Sequence, residues 1–270
     1  MRWGLALGLA FLYAPILLLV AYAFSGGPTP FEWGGFSLRW FAALAADERI
    51  LEAAWLSLRI AAGAATLGTV LGALAGYALA RLGRFPGRGA FGALLGTPLV
   101  LPDIVTGLSL LLFLVAVQAG LQGVFGWAPA RGAATLLLAH ATIGAAYAAV
   151  VVQGRLAGME AALEEAARDL GAGPGTAFLT VTLPLLAPAL AAAWLLGFTL
   201  SLDDVVVASF VSGPDATTLP MVLFSALRLG LTPEVNALAA VLLAALGGGL
   251  GMAALILDRL ARVEGAPHGG

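Results

Sequence analysis

Asp103, Asp203 and Asp204 stand inside long apolar runs, where an ionised aspartate at a helix centre costs about 2.5–3.5 kcal/mol even on the milder insertion scale. No arginine falls within those runs, and the nearest, Arg59, lies at an outer margin. Three states relieve the cost: the acids are protonated, they face water, or a cation visits them. Adjacent residues on a helix point about 100° apart, so Asp203 and Asp204 cannot share one line. One of them is free to line a path, and the other to cap, to pair or to bind backbone. The same acids could instead serve helix packing, or act together as an intramembrane aspartate-dependent hydrolase. His140, in another apolar run, reads as a neutral, hydrogen-bonded packing residue ahead of a proton relay or ligand. His268 sits in a glycine-rich tail and carries no signal.

Composition closes several other routes. The chain has 270 residues, 61% hydrophobic and 10% charged, which fits a polytopic membrane protein and no soluble globular domain. A net charge of −2 points to no nucleic acid. Without cysteine there is no disulfide, thiolate metal site or cysteine nucleophile. All 13 basic residues are arginine. A P-loop needs its lysine on the phosphates, so any ATP chemistry must come from another subunit. No bound cofactor is expected.

The elements that must position the acids are membrane spans, which need about 20 mainly apolar residues each. Six such runs appear, at about 5–24, 57–80, 92–117, 133–153, 186–210 and 237–257. The first is too long for a signal-peptide core and reads as an uncleaved span. Pro98 and Pro102 interrupt the start of the third, and such breaks are tolerated at membrane depth only where protein or a wet cavity satisfies the freed backbone. With the amino terminus cytoplasmic, one side holds Arg2, Arg81, Arg84, Arg88, Arg155, Arg168, Arg259 and Arg262, against Arg39, Arg49, Arg59, Arg131 and Arg228 on the other. The short loop of Arg81, Arg84 and Arg88 decides the orientation, with both termini cytoplasmic. Phe31, Trp33, Phe36, Trp40 and Trp55 crowd the external segment 25–56, as in a headgroup-level anchor. Residues 216–228 read as a short external helix capped by Thr218.

Residues 156–184 form the one long polar interruption. Leu156, Met159, Leu163, Ala166 and Leu170 recur at helical spacing, with Glu160, Glu164 and Arg168 on another face, and Glu164 and Arg168 are ordered for an i,i+4 pair. Gly171 follows as a left-handed cap, Gly173-Pro174-Gly175 turns the chain, and Thr176 caps a second short helix that Pro184 closes. The expected product is a helix-turn-helix outside the bilayer.

Glu165-Ala166-Ala167, Gly171, Val181, Leu183 and Pro184 resemble the E-A-A-x3-G-x9-I-x-L-P loop of ABC importer permeases, with valine at 181. The segments Leu99–Ser109 and Ser201–Met221 resemble those of the spermidine/putrescine permeases, although Asp103 stands where glutamate is common. The resemblance implies a single permease domain over 1–270, all-α, with six transmembrane helices in the type I importer fold. It implies that Glu165, Ala166, Ala167, Gly171, Leu183 and Pro184 belong to a cytoplasmic coupling helix-turn-helix that docks on an ATPase dimer. The expected partners are that dimer, a sister permease subunit, an external solute-binding protein and the lipid of a bacterial inner membrane. The expected cargo is a cationic polyamine, with Asp103 and one of Asp203 and Asp204 on its path. Another small solute is the alternative cargo. A non-transporting membrane scaffold would have no ATPase partner.

Overall fold

Small residues set how closely the helices of this chain approach. In the computed structural model, which describes residues 2–160, 162–230, 232–245 and 247–248, α6 (Ala133–Ala157) buries Ala139, Ala141, Ala145, Ala146, Ala148 and Ala149. Against it lies α3 (Glu48–Arg81), whose Gly68, Gly72 and Gly76 repeat at one-turn spacing and face the α6 backbone. A Cβ at Gly72 would sit 2.5 Å from the Ala145 carbonyl oxygen and 2.5 Å from the Ala148 Cβ. Membrane helices gain no hydrophobic drive from one another, so close backbone approach of this kind supplies their packing. Helix α9 (Leu183–Asp203) packs on both, with Gly197 near Ala65 of α3 and Gly144 of α6, and Trp194 donating to Thr66 at 2.9 Å.

The remaining helices are α1 (Arg2–Ala23), α2 (Arg39–Ala46), α4 (Arg88–Val100), α5 (Asp103–Phe125), α7 (Ala162–Asp169), α8 (Pro174–Ala177), α10 (Val206–Val211) and α11 (Leu219–Leu229), followed by α12, described over Glu234–Ala245. Among the described residues five helices are long and apolar enough to cross a membrane: Gly4–Ala23, Glu48–Arg81, Asp103–Phe125, Ala133–Ala157 and Pro174–Asp203. Among the described residues the only β-pairing is one isolated bridge, Ser25 with Phe36. The chain divides into two compact units, Glu52–Val222 and a second that joins Met1–Leu51 to the chain from Leu223. Within the second unit the segment after α1 is held by aromatic contacts, Phe24 stacking on Phe36 at 5.9 Å and Tyr22 meeting Trp33 edge-on at 6.5 Å. Arg39 lies over the ring of Trp40 at 4.3 Å.

Several boundaries differ from the sequence expectation. The third span does not run over 92–117: Leu101 turns extended ahead of Pro102, and the span starts afresh at Asp103. The fifth does not run over 186–210, because the helix is already continuous from Pro174 and stops at Asp203, with two residues between it and α10. Leu156 belongs to the end of α6, and the polar helix is only α7. Pro184 closes nothing, and Thr176 caps nothing. Gly173 stands at the N-cap of α8 with Pro174 in its first turn, and a π-helical turn, Phe178–Thr182, joins α8 to α9 without a stop. A π-turn closes i to i+5, as Leu183 N–H does to the Phe178 carbonyl. That wider turn makes room for a proline ring that an α-helical turn would clash with. Thr218 does not cap α11 with its side chain. The Leu219 N–H donates to the Ser57 hydroxyl of α3 at 2.7 Å instead. The later part of the expected sixth span, 249–257, lies outside the described residues, as do Arg259, Arg262 and His268.

The close approach at Gly72 gives a direct test. Gly72→Ala should lower the stability of the detergent-solubilised protein by about 1–3 kcal/mol, the usual cost of overpacking, seen as a lower thermal midpoint. Gly96→Ala, whose Cβ would meet nothing within 4 Å, should leave the midpoint unchanged or slightly raised.

Candidate functional site

The acids sit at two helix breaks that lie side by side. Pro102 has no N–H to continue α4, so α5 starts at Asp103, whose carboxylate occupies the electropositive first turn. At the second break α9 ends on Asp203, and Asp204 turns extended. The Asp204 carboxylate then caps α10, accepting from Val207 N–H at 3.2 Å through Oδ1 and from Ala208 N–H at 2.7 Å through Oδ2. Helices α5 and α10 are packed together, with Gly107 against Val207 and Phe210. Asp103 and Asp203 are exposed on this chain, and the charges of Asp103 and Asp204 both act on Asp203.

Asp204 has a partner that arginine counting could not reveal. His140 of α6 places Nε2 3.2 Å from Asp204 Oδ2 and Nδ1 2.6 Å from the Ser201 hydroxyl. With Asp204 acting only as an acceptor, the proton belongs on Nε2. Ser201 then donates to Nδ1, or accepts from it if the ring is cationic. The residue is 5% exposed, so the Ser201 hydrogen bond satisfies a ring nitrogen that hydrocarbon could not, while Nε2 faces the Asp204 charge. Five residues earlier on α6, the Thr135 hydroxyl donates to the Val211 carbonyl at 2.8 Å. Helix α10 is therefore held to α6 at both ends. The expectation that His140 is a hydrogen-bonded packing residue agrees with this geometry. Its link to Asp204 went unforeseen, since nothing local in sequence marks a pair 64 positions apart.

The polar segment makes a second constellation. Gly171 has φ +90°, the left-handed conformation expected of a helix cap. Its N–H donates to the Arg168 carbonyl at 2.9 Å, and Ala172 N–H donates to that of Ala167 at 3.0 Å, the paired bonds of a Schellman motif. Glu165, Ala166, Gly171 and Pro184 are exposed, Ala167 and Leu183 are half-buried, and Leu170 is 89% exposed. Glu164 does not pair with Arg168. It turns inward, 3.7 Å from Arg81 Nε at the end of α3, and accepts from the Thr182 hydroxyl at 2.8 Å. Arg81 and Thr182 were absent from the sequence-based candidates. The sequence places Arg81 among the cations of a short loop.

The profile of the family described as "Binding-protein-dependent transport system inner membrane component" matches residues 68–262. The putrescine transport system permease protein PotI of Escherichia coli (strain K12) is 51% identical over 243 residues, covering 90% of this chain and 85% of that protein. The spermidine/putrescine transport system permease protein PotC of Haemophilus influenzae is 41% identical over 251 residues, covering 93% and 91% respectively. Among solved structures, a chain of a bacterial ABC transporter involved in the import of the acidic polysaccharide alginate superposes with a TM-score of 0.75 at 16% identity, over 95% of this chain and 92% of that one. At that identity the likeness speaks for the fold, an ABC importer permease architecture.

The two neighbouring aspartates should behave differently on neutralisation. Asp204→Asn puts an amide donor against the α10 N–H groups or the His140 N–H, and should cost about 1–3 kcal/mol of stability. Asp203→Asn should stay within about 0.5 kcal/mol of the parent, as surface changes do. Thermal unfolding of the two purified variants, side by side, checks the difference.

Proposed function

The chain belongs to the binding-protein-dependent transport system inner membrane components, and on that footing we propose that it is the permease subunit of an ABC importer carrying a cationic polyamine of the putrescine or spermidine type. It is a transport permease rather than an enzyme, and ATP hydrolysis belongs to a partner subunit. It lies in the inner membrane and crosses it several times. A sister permease, an ATPase dimer and a periplasmic solute-binding protein complete the assembly. Within this reading residues 1–270 act as one permease domain with six spans.

The observation that carries the cargo assignment is the exposed carboxylate pair, Asp103 and Asp203, at two adjacent helix breaks. A polyamine entering the membrane loses hydration, and fixed acids replace part of it where charge interactions are strong. What favours Asp203 over Asp204 for the path is that Asp204 already serves two backbone donors and His140. That engagement also argues against a hydrolase, because Asp204 is held as a helix cap and not turned toward the other two acids. Residues 156–184, with Glu165, Ala166, Ala167, Gly171, Leu183 and Pro184, form the face offered to the ATPase. Its exposed Leu163 and Leu170 suit a docking surface. ATP-driven closure pushes this segment and switches access to the acids. Both termini are cytoplasmic.

Neutralising the path should cut transport without dismantling the carrier. In proteoliposomes holding the whole assembly and its binding protein, Asp103→Asn and Asp203→Asn should each lower putrescine uptake about tenfold or more, equivalent to one lost charge-assisted contact. Assembled complex and basal ATP hydrolysis should be retained. Full uptake in both variants would refute the cation path, and stimulation of ATP hydrolysis by a different solute would overturn the cargo.

Orientation is checked by thiol labelling, since the parent chain has no cysteine to react. Single cysteines at Arg84 and Gly173 should label only from the cytoplasmic side, and one at Gly213 only from outside. Labelling of position 173 from outside would remove the ATPase-facing role of the segment.

A further inference from the structure

Glu164 lies beside the motif glutamate but faces the opposite way. Glu165 is exposed, whereas the Glu164 side chain is 13% exposed and points at the end of α3. There it meets Arg81, whose side chain is 20% exposed. Among the described residues the Arg81 Nε and Nη2 atoms are buried without a hydrogen-bond partner, so Glu164 Oε1, 3.7 Å away, is the group that balances the guanidinium charge. The same Oε1 accepts from Thr182, which is 0% exposed and closes the π-turn. Its neighbour Thr180 bonds back to its own helix at Thr176. Thr182 reaches across to α7.

A second contact lies one turn back on α3. Tyr77, four residues before Arg81 and on the same face, meets Phe178 of the π-turn edge-on at 5.4 Å. The end of α3 thus holds the polar segment at two points, one on α7 through Glu164 and one on the π-turn through Phe178. Glu164 to Thr182 closes the triangle. Without these contacts α7 would hang between non-helical residues 158–160 on one side and 170–173 on the other.

We infer that Arg81, Glu164 and Thr182 form the joint that passes movement of α7 into α3 and α9. This rests on the reading that the 156–184 segment faces the ATPase. A push on α7 reaches the spans only if something stiff bridges the links on either side of it. A largely desolvated ion pair does this, because separating its members leaves a poorly hydrated charge unpaired, which is unfavourable. Glu165 meets the motor and Glu164 carries the displacement inward. The three are positioning residues and do not touch cargo.

The test is the ratio of putrescine carried to ATP hydrolysed by the reconstituted assembly with its binding protein. Glu164→Gln should lower that ratio at least about fivefold, the low end for coupling between two sites, with assembly and basal hydrolysis retained. Exchanging the charges, Arg81→Glu with Glu164→Arg, should recover much of it. In a cysteine-free chain, Arg81→Cys with Glu164→Cys should be uncoupled until a bifunctional thiol reagent joins the two, and recoupled afterwards. A role in stability alone would not give recovery by an unrelated covalent bridge. If Glu164→Gln does not assemble, Thr182→Val, which keeps the volume and removes the hydroxyl, must lower the ratio. The joint is refuted by an unchanged ratio in Glu164→Gln, by an unchanged ratio in Thr182→Val where that variant stands in, or by failure of both the exchange and the bridge to recover it. Two controls separate this from the broader reading. If Glu165→Lys and Gly171→Val uncouple the assembly while Glu164→Gln does not, only the joint is wrong. If none of the three uncouples it, the ATPase-facing assignment has failed.

Discussion

Hydrocarbon offers no hydrogen-bond partner, so every polar group that this chain carries into the membrane must find one within the protein. The rule is felt most where helices stop. Ending α9 at Asp203 and restarting at Val206 frees the N–H groups of α10, and the Asp204 carboxylate takes two of them. That carboxylate needs a further donor, which His140 supplies, and His140 in turn needs Ser201. At the far end of α10 the Val211 carbonyl is met by Thr135. One interruption has therefore recruited polar residues from α6 and α9, and the result is a rigid frame around Asp203.

The frame depends on backbones close enough for short side chains to meet. Ser201 and Thr135 have little reach, and they succeed because α6 presents alanines and glycine to its neighbours. The same economy of volume brings α3 against α6 through Gly68, Gly72 and Gly76. Larger residues at those positions would lengthen every polar contact between the helices, and a hydrogen bond stretched beyond about 3.5 Å is no longer one. Packing by small residues and satisfaction of buried polar groups are therefore one requirement.

The sequence announced the parts that obey local rules. Length and apolar content marked the spans, and a glycine at the right offset marked the left-handed turn at Gly171. Pro102 announced a break but not that the span would begin after it, because hydropathy is blind to where a helix restarts. The π-turn was hidden for a related reason. Pro184 signals a stop under α-helical geometry, and only a wider turn lets the chain continue through it. The pairs His140–Asp204 and Arg81–Glu164 join residues far apart in sequence, and no periodicity reports them. What could have been asked is which buried polar residue lacked a local partner. His140 and Ser201, both buried on apolar helices, were the candidates.

These two polar clusters lie at opposite ends of one element. Helix α9 leaves the π-turn at Leu183 and reaches Asp203 without interruption, about 30 Å at 1.5 Å per residue. Its internal Pro188 lies in the second turn, close to the π-turn and far from the acids. It is packed on α6 and, near Trp194 and Gly197, on α3, so bending it would open those contacts. On the proposed reading, a displacement of α7 that passes through Thr182 into the start of α9 therefore arrives at Asp203 as movement of the whole rod. The π-turn is then the natural place for compliance, since its bonding is weaker than that of the α-helix on either side. The two polar clusters need no chain of small adjustments between them. They are the two ends of one stiff helix, held by Arg81 and Glu164 at one and by Asp204 and His140 at the other.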